Sequence, residues 1–442
     1  MRFNIVRVGN DAEGIAYYKD KPVFIYYGYK GEEVEAELVV NKRGAYEGEI
    51  KSVISPSKHR VAPLCPYYGV CGGCNLMHIS YEESLRHKRS VIDFLVKTKL
   101  KIEYKDIVIN NTHGSVDTFN YRNKINVPVK IIDGKNAIGL FYRGSNQFLP
   151  IEKCIIEDDN LNVLAKEVLK VMDQLKIKAY DAKSNTGHVT NLSIRTNLEG
   201  QMQLTFVIKN KVNLDKAAEL LMKKNSNLVS VYESFIPTYK TNRDMFNGTL
   251  TLIKGSKELV MKLNEFKFLV TPNAFFQLNS KQAIKLYELV IKKANFSKDD
   301  VVLDAYSGVG TIATFISPHV KEVVAIESIK AAVNAMDESN RINGITNMKT
   351  ITGDVVKVTD YLKKKFDVMV FDPPRTGLGE TIINYILKNL PKRVVYVSCN
   401  PETLVVDLKG LSSKYKIVSI DPFDMFPQTS QVESVTLLEL KS

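Results

Sequence analysis

From Asp299 onward, apolar β-rich runs alternate with segments of helical pattern, and this alternation constrains the fold more than any other feature of the chain. Strands that alternate with helices favour a mostly parallel sheet with helices on both faces, the doubly wound α/β arrangement. Such a sheet places its chemistry at the carboxyl ends of its strands. The expected strands are Val301–Ala305, Glu322–Glu327, Met348–Thr352, Phe366–Phe371, Val394–Ser398, Lys416–Ile420 and Ser434–Leu440.

The first of these strands ends in a glycine-containing turn. Gly308, Gly310 and Ala313 form a G-x-G-x-x-A pattern, which lets a ligand approach the backbone where a helix begins. Glu327 closes the second strand, 19 residues after Gly308, where it can accept hydrogen bonds from ribose hydroxyls. The pattern predicts a nucleotide-type cofactor, and NAD and S-adenosylmethionine fit it equally well.

The later strand ends separate these two cofactors. Asp354 follows the third strand and can meet an adenine edge, and the run Asp372-Pro373-Pro374-Arg375 follows the fourth. Cys399 follows the fifth strand. A methyltransferase that acts on a planar base has a use for a carboxylate and a cysteine at neighbouring strand ends, whereas a dehydrogenase has none. The alternative for Cys399 is a cysteine that only packs in the core, as free cysteines commonly do.

The sequence upstream divides into two further regions. The length of 442 residues predicts two or three domains. Residues 1–54 hold five short β-rich runs separated by turn signals, which is typical of a small, OB-like β-barrel. Residues 55–265 have a mixed α+β pattern, with a helix at Ser80–Lys97 that could pack on the catalytic domain. Residues 266–442 form the doubly wound, Rossmann-like domain.

Charge and composition indicate a protein that handles a polyanion. The net charge is +12, which favours nucleic acid as a partner, although lysines that only solvate the surface would give the same value. The N-terminus lacks the apolar core of a signal peptide, and no run approaches the roughly 18 apolar residues of a membrane span, so we expect a cytoplasmic protein. Tyrosines of the first region suit either base stacking or cross-strand packing: Tyr17, Tyr18, Tyr26, Tyr27 and Tyr29.

Four of the five cysteines form a candidate metal site. Cys65, Cys71 and Cys74 are spaced C-x5-C-x2-C around two glycines, and Cys154 can supply a fourth thiolate from a distant segment. In a reducing compartment this spacing favours a metal site over a disulfide framework. Zinc and iron-sulfur both accept four thiolates, and the spacing does not choose between them.

Taken together, these motifs resemble the RNA uracil-5-methyltransferases, the family that makes 5-methyluridine in transfer and ribosomal RNA. The resemblance covers nearly the whole chain: residues 1–54 are similar to the TRAM RNA-binding barrel, and the last third is similar to the methyltransferase domain. The run Pro272–Asn279 resembles the motif that precedes the cofactor fold. The resemblance implies a monomeric, S-adenosylmethionine-dependent 23S rRNA (uracil-C5)-methyltransferase.

The same resemblance implies a role for each site residue. Cys399 is the nucleophile that adds to carbon 6 of uracil, and Glu433 is the general base that removes the proton from carbon 5. Arg375 near Cys399 is expected to favour the thiolate. The four cysteines of the candidate metal site match the family's [4Fe-4S] ligands, a cluster typical of the ribosomal RNA members. The cofactor-binding residues are Gln277, Tyr306, Gly308, Gly310, Thr311, Glu327, Asp354 and Asp372.

Three positions depart from the family pattern, and three other functions remain open. Gln428 and Gln431 stand where histidines are common, and Thr311 stands where many members carry asparagine. A transfer RNA uridine-5 methyltransferase would share the same chemistry. An RNA cytosine-5 methyltransferase would also use a cysteine, but Ser398 stands where its usual Pro-Cys motif has proline. A non-enzymatic alternative is an inactive RNA-binding protein with a structural metal cluster.

Overall fold

The structure is a computed structural model that describes residues 1–41, 43–100, 106–239 and 245–441. The chain forms two compact units. The first comprises Met1–Val116, Leu289–Phe296 and Thr359–Ser442, and the second comprises Asp117–Glu288 and Ser297–Val358. The three-domain division, with boundaries after residues 54 and 265, stays a prediction.

The helices and strands are numbered in chain order. The strands of the first 270 residues are β1 (Arg2–Asn4), β2 (Arg7–Val8), β3 (Gly14–Tyr18), β4 (Lys21–Ile25), β5 (Glu33–Val40), β6 (Tyr46–Ser55), β7 (Val108–Ile109), β8 (Lys124–Ile132), β9 (Lys135–Phe141), β10 (Phe148–Pro150), β11 (Val189–Thr196), β12 (Met202–Ile208), β13 (Leu228–Phe235), β14 (Thr249–Gly255), β15 (Leu259–Leu263) and β16 (Phe266–Val270). The later strands are β17 (Val301–Ala305), β18 (Glu322–Glu327), β19 (Met348–Thr352), β20 (Val368–Phe371), β21 (Arg393–Ser398), β22 (Tyr415–Phe423) and β23 (Glu433–Leu440). The α-helices are α1 (Tyr81–Leu95), α2 (Asp159–Gln174), α3 (Asp215–Lys224), α4 (Ser280–Ala294), α5 (Thr311–Ile316), α6 (Lys330–Ile342), α7 (Val355–Tyr361), α8 (Gly379–Asn389) and α9 (Pro401–Leu411).

The N-terminal strands of the first unit form one six-stranded sheet in the order β1-β5-β6-β4-β3-β2. Strand β5 shows why they pair: Val34 and Ala36 are buried while the side chains between them face outward, the alternation of a half-buried strand. Val23 and Ile25 of β4 join the same core. The five β-rich runs predicted for residues 1–54 all contain strands, with ends that differ by a few residues.

Helix α1 confirms the helix predicted at Ser80–Lys97 and continues as a π-helical turn over Val96–Leu100. The Ser80 side chain accepts a hydrogen bond from the backbone N–H of Glu83, which caps the helix start. Residues at helical spacing on one face are buried: Lys88, Val91, Ile92 and Leu95. A lysine therefore occupies one position of an otherwise apolar stripe.

The second unit contains a seven-stranded sheet in the order β10-β9-β8-β11-β12-β13-β14. Every residue of β11 and β12 is buried. Helices α2 and α3 contribute Leu164, Val168 and Leu221 to the same core as Leu192 and Phe206 of the sheet. Helix α2 and strands β11 and β12 agree with the mixed α+β pattern expected for residues 55–265.

The later strands fall in both units, and the seven predicted from sequence are all present. In the second unit, β17, β18 and β19 run parallel in that order. In the first unit, β20 pairs parallel with β21, and β23 lies antiparallel between β21 and β22. The reversal follows from the short link between β22 and β23, since a parallel connection needs a dozen or more residues. The two-residue strand β7 adds to the outer edge of β22 and was not predicted.

Among the helices in the described ranges, none is both long and apolar enough to cross a membrane.

Candidate active site

The strand register brings Cys399 and Glu433 together in the first unit. Ser398, the last residue of β21, is opposite Ser434 on β23. The ladder ends at this pair, so Cys399, the residue after β21, and Glu433, the first residue of β23, lie at the same end of the two strands. Cys399 is half-buried and Glu433 is only 9% exposed. The predicted nucleophile and the predicted base thus lie side by side, next to the carboxyl end of β20.

The loop after β20 is tied to the segment that carries Cys399. The Asn400 side chain donates a hydrogen bond to the Arg375 carbonyl at 2.9 Å, and the same side chain caps α9 by accepting from the Glu402 N–H. The buried Asp407 carboxylate accepts from the Tyr396 hydroxyl at 2.7 Å and from the Leu378 N–H at 2.8 Å. These bonds hold the backbone of the loop at Arg375 and Leu378 against the segment that carries Cys399.

The electrostatic environment keeps the Cys399 thiol protonated. Burial raises the pKa of Cys399 to about 11, with further increases from the charges of Glu433 and Asp372, and Arg375 opposes the shift. Arg375 favours the thiolate as expected, but the net shift of the Cys399 pKa is upward, so the expectation that the surroundings as a whole favour the thiolate is wrong. The physical reason is that desolvation and two carboxylates outweigh one partly solvated guanidinium.

Both carboxylates of the site also hold their protons more tightly than usual. Burial raises the pKa of Asp372 to about 7. Burial, followed by the charge of Asp372, raises the pKa of Glu433 to about 8, while Arg375 and Lys88 lower it. A carboxyl group that titrates near neutral pH can both take up and release a proton under working conditions, which suits a general base.

Helix α1 supplies a buried cation behind this site. The Lys88 ammonium donates to the Asp424 carboxylate and to the Phe426 carbonyl at 3.1 Å, and both ionic side chains are fully buried. The Tyr81 hydroxyl donates to the other Asp424 oxygen at 2.8 Å. Asp424 begins the loop that leads to Glu433. The sequence analysis missed Lys88, although a lysine within the apolar stripe of a helix is a visible signal.

The loop before Glu433 is held from a second side. Asn75 accepts from the Ser430 N–H at 2.7 Å, and the backbone N–H groups of Asn75 and Leu76 both donate to the Gln428 carbonyl at 3.0 Å. Gln428 has a φ of 71° and is 9% exposed, whereas Gln431 is exposed. The two glutamines therefore occupy different environments, and Gln431 lines a cavity that reaches Cys399.

That cavity has a volume of about 580 Å³, within the range of small-molecule sites. Its lining combines charged, amide and aromatic side chains, including Arg7, Asn10, Phe24, Phe94, Arg375, Cys399 and Gln431. Phe94 of α1 is 51% exposed there. A cavity lined by both aromatic and polar side chains can stack against and hydrogen-bond a planar ring.

The predicted cofactor residues lie in the second unit, apart from Asp372. Tyr306, Gly308 and Gly310 have positive φ values of 66°, 58° and 81°. A Cβ placed on Gly308 would meet nothing within 4 Å, so the backbone there faces open space. The Glu327 carboxylate accepts from the Gly308 N–H at 3.0 Å and from the Ile329 N–H at 2.8 Å. This turn has the open backbone that a nucleotide-type ligand requires.

Three other predicted cofactor residues have varied surroundings. The Thr311 hydroxyl donates to the Tyr287 hydroxyl at 3.1 Å, at the start of α5. Asp354 is exposed and accepts from the Val356 N–H at 2.9 Å. The Gln277 carbonyl accepts from the Asn123 amide at 2.9 Å, which fixes its backbone and leaves the side chain half-buried.

Two basic residues that the sequence did not point to, Lys124 and Arg195, hold the run around Gln277. Lys124 donates to the Pro272 carbonyl at 2.9 Å, and Arg195 donates to the Ala274 carbonyl at 2.6 Å. These residues face each other on β8 and β11. Burial lowers the pKa of Lys124 to about 6, and Arg195 contributes to that shift. Phe275 in the held run is 69% exposed.

The cysteines of the candidate metal site are all half-buried and none is in a disulfide. The Gly73 N–H donates to the Cys71 sulfur at 3.4 Å, and the Asn162 side chain exchanges two hydrogen bonds with the Cys154 backbone. Across the described ranges, no three His, Cys, Asp or Glu side chains lie close enough together to hold a metal ion. The geometry therefore gives the predicted [4Fe-4S] cluster no support, and the ligand set stays a prediction.

Comparison with known proteins agrees with the resemblance noted from the motifs. The family model described as tRNA (Uracil-5-)-methyltransferase matches residues 80–441. An uncharacterized RNA methyltransferase of Halalkalibacterium halodurans is 34% identical over 98% of this chain and 95% of its own length. One from Listeria monocytogenes is 34% identical over 99% of this chain and 96% of its own. The chain therefore belongs to the tRNA (uracil-5-)-methyltransferase family.

The fold is also similar to that of a solved structure. The Pyrococcus abyssi tRNA (uracil-54, C5)-methyltransferase, solved in complex with S-adenosyl-L-homocysteine, superposes with a TM-score of 0.77. The two sequences are 24% identical, and the match covers 99% of each chain. This likeness shows a methyltransferase fold with mixed α/β sheets.

Proposed function

We propose that this protein transfers a methyl group from S-adenosylmethionine to carbon 5 of a uridine in RNA. The observation that carries the proposal is the pairing of Cys399 with Glu433 at adjacent strand ends, beside Asp372 and a cavity of about 580 Å³. Family membership supports the same reaction. A buried cysteine that served only for packing would not need two carboxylates with raised pKa values next to it.

The chemistry begins with Cys399. Carbon 5 of uracil is a weak nucleophile, and addition of the Cys399 sulfur at carbon 6 turns the ring into an enolate that is reactive at carbon 5. With a pKa of about 11, the thiol loses its proton at pH 8 at a cost of about 4 kcal/mol. Arg375 lowers that cost, because a cation favours the thiolate. The loop that carries Arg375 is therefore part of the nucleophile's activation.

The second half of the reaction belongs to Glu433. Once carbon 5 carries both a methyl group and a hydrogen, the Glu433 carboxylate takes that proton. The electron pair of the C5–H bond restores the C5–C6 double bond, and the C6–S bond breaks to return the Cys399 thiolate. Glu433 must be ionised for this step, so a pKa of about 8 predicts slower release below pH 8.

The residues of the second unit fit the cofactor. S-adenosylmethionine supplies a methyl group on a sulfonium, which has no counterpart among amino-acid side chains. The open backbone at Gly308 would let an adenosyl group approach, and the Glu327 carboxylate, which accepts from the Gly308 N–H, would also accept from ribose hydroxyls. The other proposed cofactor residues of the second unit are Gln277, Tyr306, Gly310, Thr311 and Asp354. Asp372 is the proposed cofactor residue of the first unit.

We infer that the RNA is 23S ribosomal RNA, bound partly by the N-terminal sheet as a TRAM-type module. The net charge of +12 supports a phosphate backbone as the partner. The choice of 23S RNA over transfer RNA rests on the match of Cys65, Cys71, Cys74 and Cys154 to the cluster ligands of the ribosomal members. Iron analysis and an absorbance spectrum of anaerobically purified protein test the cluster, since a zinc site would be colourless.

Labelled nucleosides give the direct test of the reaction. RNA that lacks 5-methyluridine is incubated with the protein and methyl-labelled S-adenosylmethionine, and the digested nucleosides are examined by mass spectrometry. We expect labelled 5-methyluridine in 23S RNA and none with Cys399→Ala, which should still bind the cofactor. Label on cytosine would overturn the uracil assignment, and label confined to transfer RNA would overturn the choice of substrate. Gel filtration of the same preparation tests the predicted monomer.

A further inference from the structure

The buried pair formed by Lys88 and Asp424 has no role in the mechanism above. Both side chains have no exposed surface, and the pair joins α1 to the start of the loop that ends at Glu433. Burying two charges costs several kcal/mol each, and replacing such a pair with apolar side chains often leaves stability unchanged or improved. A contribution to folding stability therefore does not by itself explain an ion pair at this position.

The contacts of the pair are asymmetric. Asp424 is satisfied on both oxygens, by the Lys88 ammonium and by the Tyr81 hydroxyl. Lys88 in addition donates to the Phe426 carbonyl at 3.1 Å, which fixes the loop two residues beyond Asp424. Asp424 is thus fully paired by its two neighbours. Lys88 in addition contacts the segment that leads to Glu433 through its hydrogen bond to Phe426.

The charges around Glu433 come from four elements. Asp372 at the end of β20 repels its carboxylate, and Arg375 in the following loop attracts it. Cys399 at the end of β21 becomes a second anion when it reacts. Lys88 on α1 attracts the carboxylate, whereas burial opposes it more strongly than any of these groups. Both cations lower the pKa of Glu433, Arg375 more than Lys88, but Arg375 is exposed to solvent whereas Lys88 is fully buried.

We propose that Lys88 is a positioning residue for the reaction, whose buried charge keeps Glu433 able to work as a base at neutral pH while Asp424 holds the ammonium in place. The inference rests on the proposed function, because it assigns Lys88 to the step in which Glu433 takes the proton from carbon 5. A lysine that only fastened the loop would leave that step's dependence on pH unchanged.

The experiment follows the release of the covalent protein–RNA adduct as a function of pH. Enzyme, RNA and S-adenosylmethionine are mixed in a single turnover, and samples are denatured in detergent at intervals. Adduct and 5-methyluridine are then measured on the same samples. The wild-type protein gives the reference midpoint for the release rate. Absence of both adduct and product in the wild type would refute the proposed function itself, separately from the role of Lys88.

The key variant removes both charges of the pair. Lys88→Met alone leaves the buried Asp424 carboxylate without its cationic partner. This single variant is therefore expected to unfold at a lower temperature than the wild type. The double variant Lys88→Met, Asp424→Leu is expected to fold with wild-type stability, with the midpoint for release shifted up by about one pH unit. At pH 7 that shift corresponds to about tenfold slower release.

Tyr81→Phe is the matched control, because it removes a hydrogen bond to Asp424 but leaves the ammonium in place. We expect its midpoint to stay at the wild-type value. A double variant that folds and releases with the wild-type midpoint would overturn the proposal and leave Lys88 a structural residue. An equal shift in Tyr81→Phe would overturn it as well, since loop position rather than charge would then control Glu433.

Discussion

The proposed site residues of the two units differ in what determines their properties. In the first unit, burial alters the proton affinity of the side chains, with pKa values of about 7 for Asp372, 8 for Glu433 and 11 for Cys399. In the second unit, the proposed cofactor residues Tyr306, Gly308 and Gly310 have left-handed backbone conformations. Tertiary surroundings thus control the first set, and a local turn defines the second. Variants of each set should therefore fail in different ways.

The largest effect is expected from Glu433→Gln. The amide cannot take the proton from carbon 5, so addition and methyl transfer still occur but release slows by about 10² to 10⁴-fold. Denaturing gels should show a protein–RNA adduct that accumulates with time and carries the labelled methyl group. The affinity for S-adenosylhomocysteine, measured by calorimetry, should be unchanged. Full turnover without an adduct would show that another group is the base.

The same substitution should stabilise the protein. The pKa of Glu433 is raised by burial from 4.5 to about 8, so the folded state binds this proton more tightly than the unfolded chain does. The Glu433 carboxyl therefore does not destabilise the folded state below pH 4.5. Above that pH its destabilising effect on the folded state grows until about pH 8. Glu433→Gln should remove this destabilisation, with a gain on the order of 4 kcal/mol by pH 8. Thermal unfolding at pH 5 and pH 8 tests this, and an equal gain at both values would contradict it.

Sequence and structure agree most closely where local pattern decides the outcome. The strands β17 to β19 were predicted to the residue, because apolar runs with a fixed period and flanking turns carry that information. The turn that contains Gly308 and Gly310 was also predicted from the sequence, and both glycines have positive φ values. The pKa of Cys399 was predicted in the wrong direction, because its sign depends on how many water molecules and carboxylates surround the sulfur after folding. Strand β7 is two residues long and has no pattern of its own.

The Lys88–Asp424 pair lies between these cases. The stripe formed by Lys88, Val91, Ile92 and Leu95 marks a buried lysine in the sequence. Its partner is more than 300 residues away, and only the folded chain shows that the two meet. The metal site is the opposite case: the spacing of Cys65, Cys71 and Cys74 is a strong local signal, yet the described geometry brings no metal-binding group together. Ligands of such a site converge chiefly because the metal holds them.

On the cofactor side, two glycines offer a matched pair. A Cβ at Gly310 would approach the Met336 side chain to 2.5 Å, whereas a Cβ at Gly308 would enter open space. Both positions have positive φ, so each alanine variant costs about 1 to 2 kcal/mol of backbone strain. Gly308→Ala should in addition weaken S-adenosylhomocysteine about tenfold, because the methyl group occupies the ligand's approach. Gly310→Ala should lose more stability than Gly308→Ala and less affinity.

Calorimetry and thermal unfolding on both variants separate the two effects. If Gly308→Ala bound the ligand with wild-type affinity, the turn would not be the cofactor site. If both variants lost the same affinity and the same stability, the loss would come from backbone strain alone. The proposed difference between a cofactor turn defined by local backbone shape and catalytic residues controlled by tertiary surroundings would then lose its support.

The smallest effect is expected at Thr311, where many family members carry asparagine. The Thr311 hydroxyl donates to the Tyr287 hydroxyl at 3.1 Å, and both the turn and the start of α5 are fixed by the backbone of Gly308 and Gly310. Thr311→Asn should therefore change the affinity for S-adenosylhomocysteine by less than about threefold, since one neutral hydrogen bond contributes about 1 kcal/mol or less. The rate of adduct release should not change. A large fall in release rate would contradict this separation, because a side chain in the proposed cofactor turn would then control the chemistry proposed for Cys399 and Glu433.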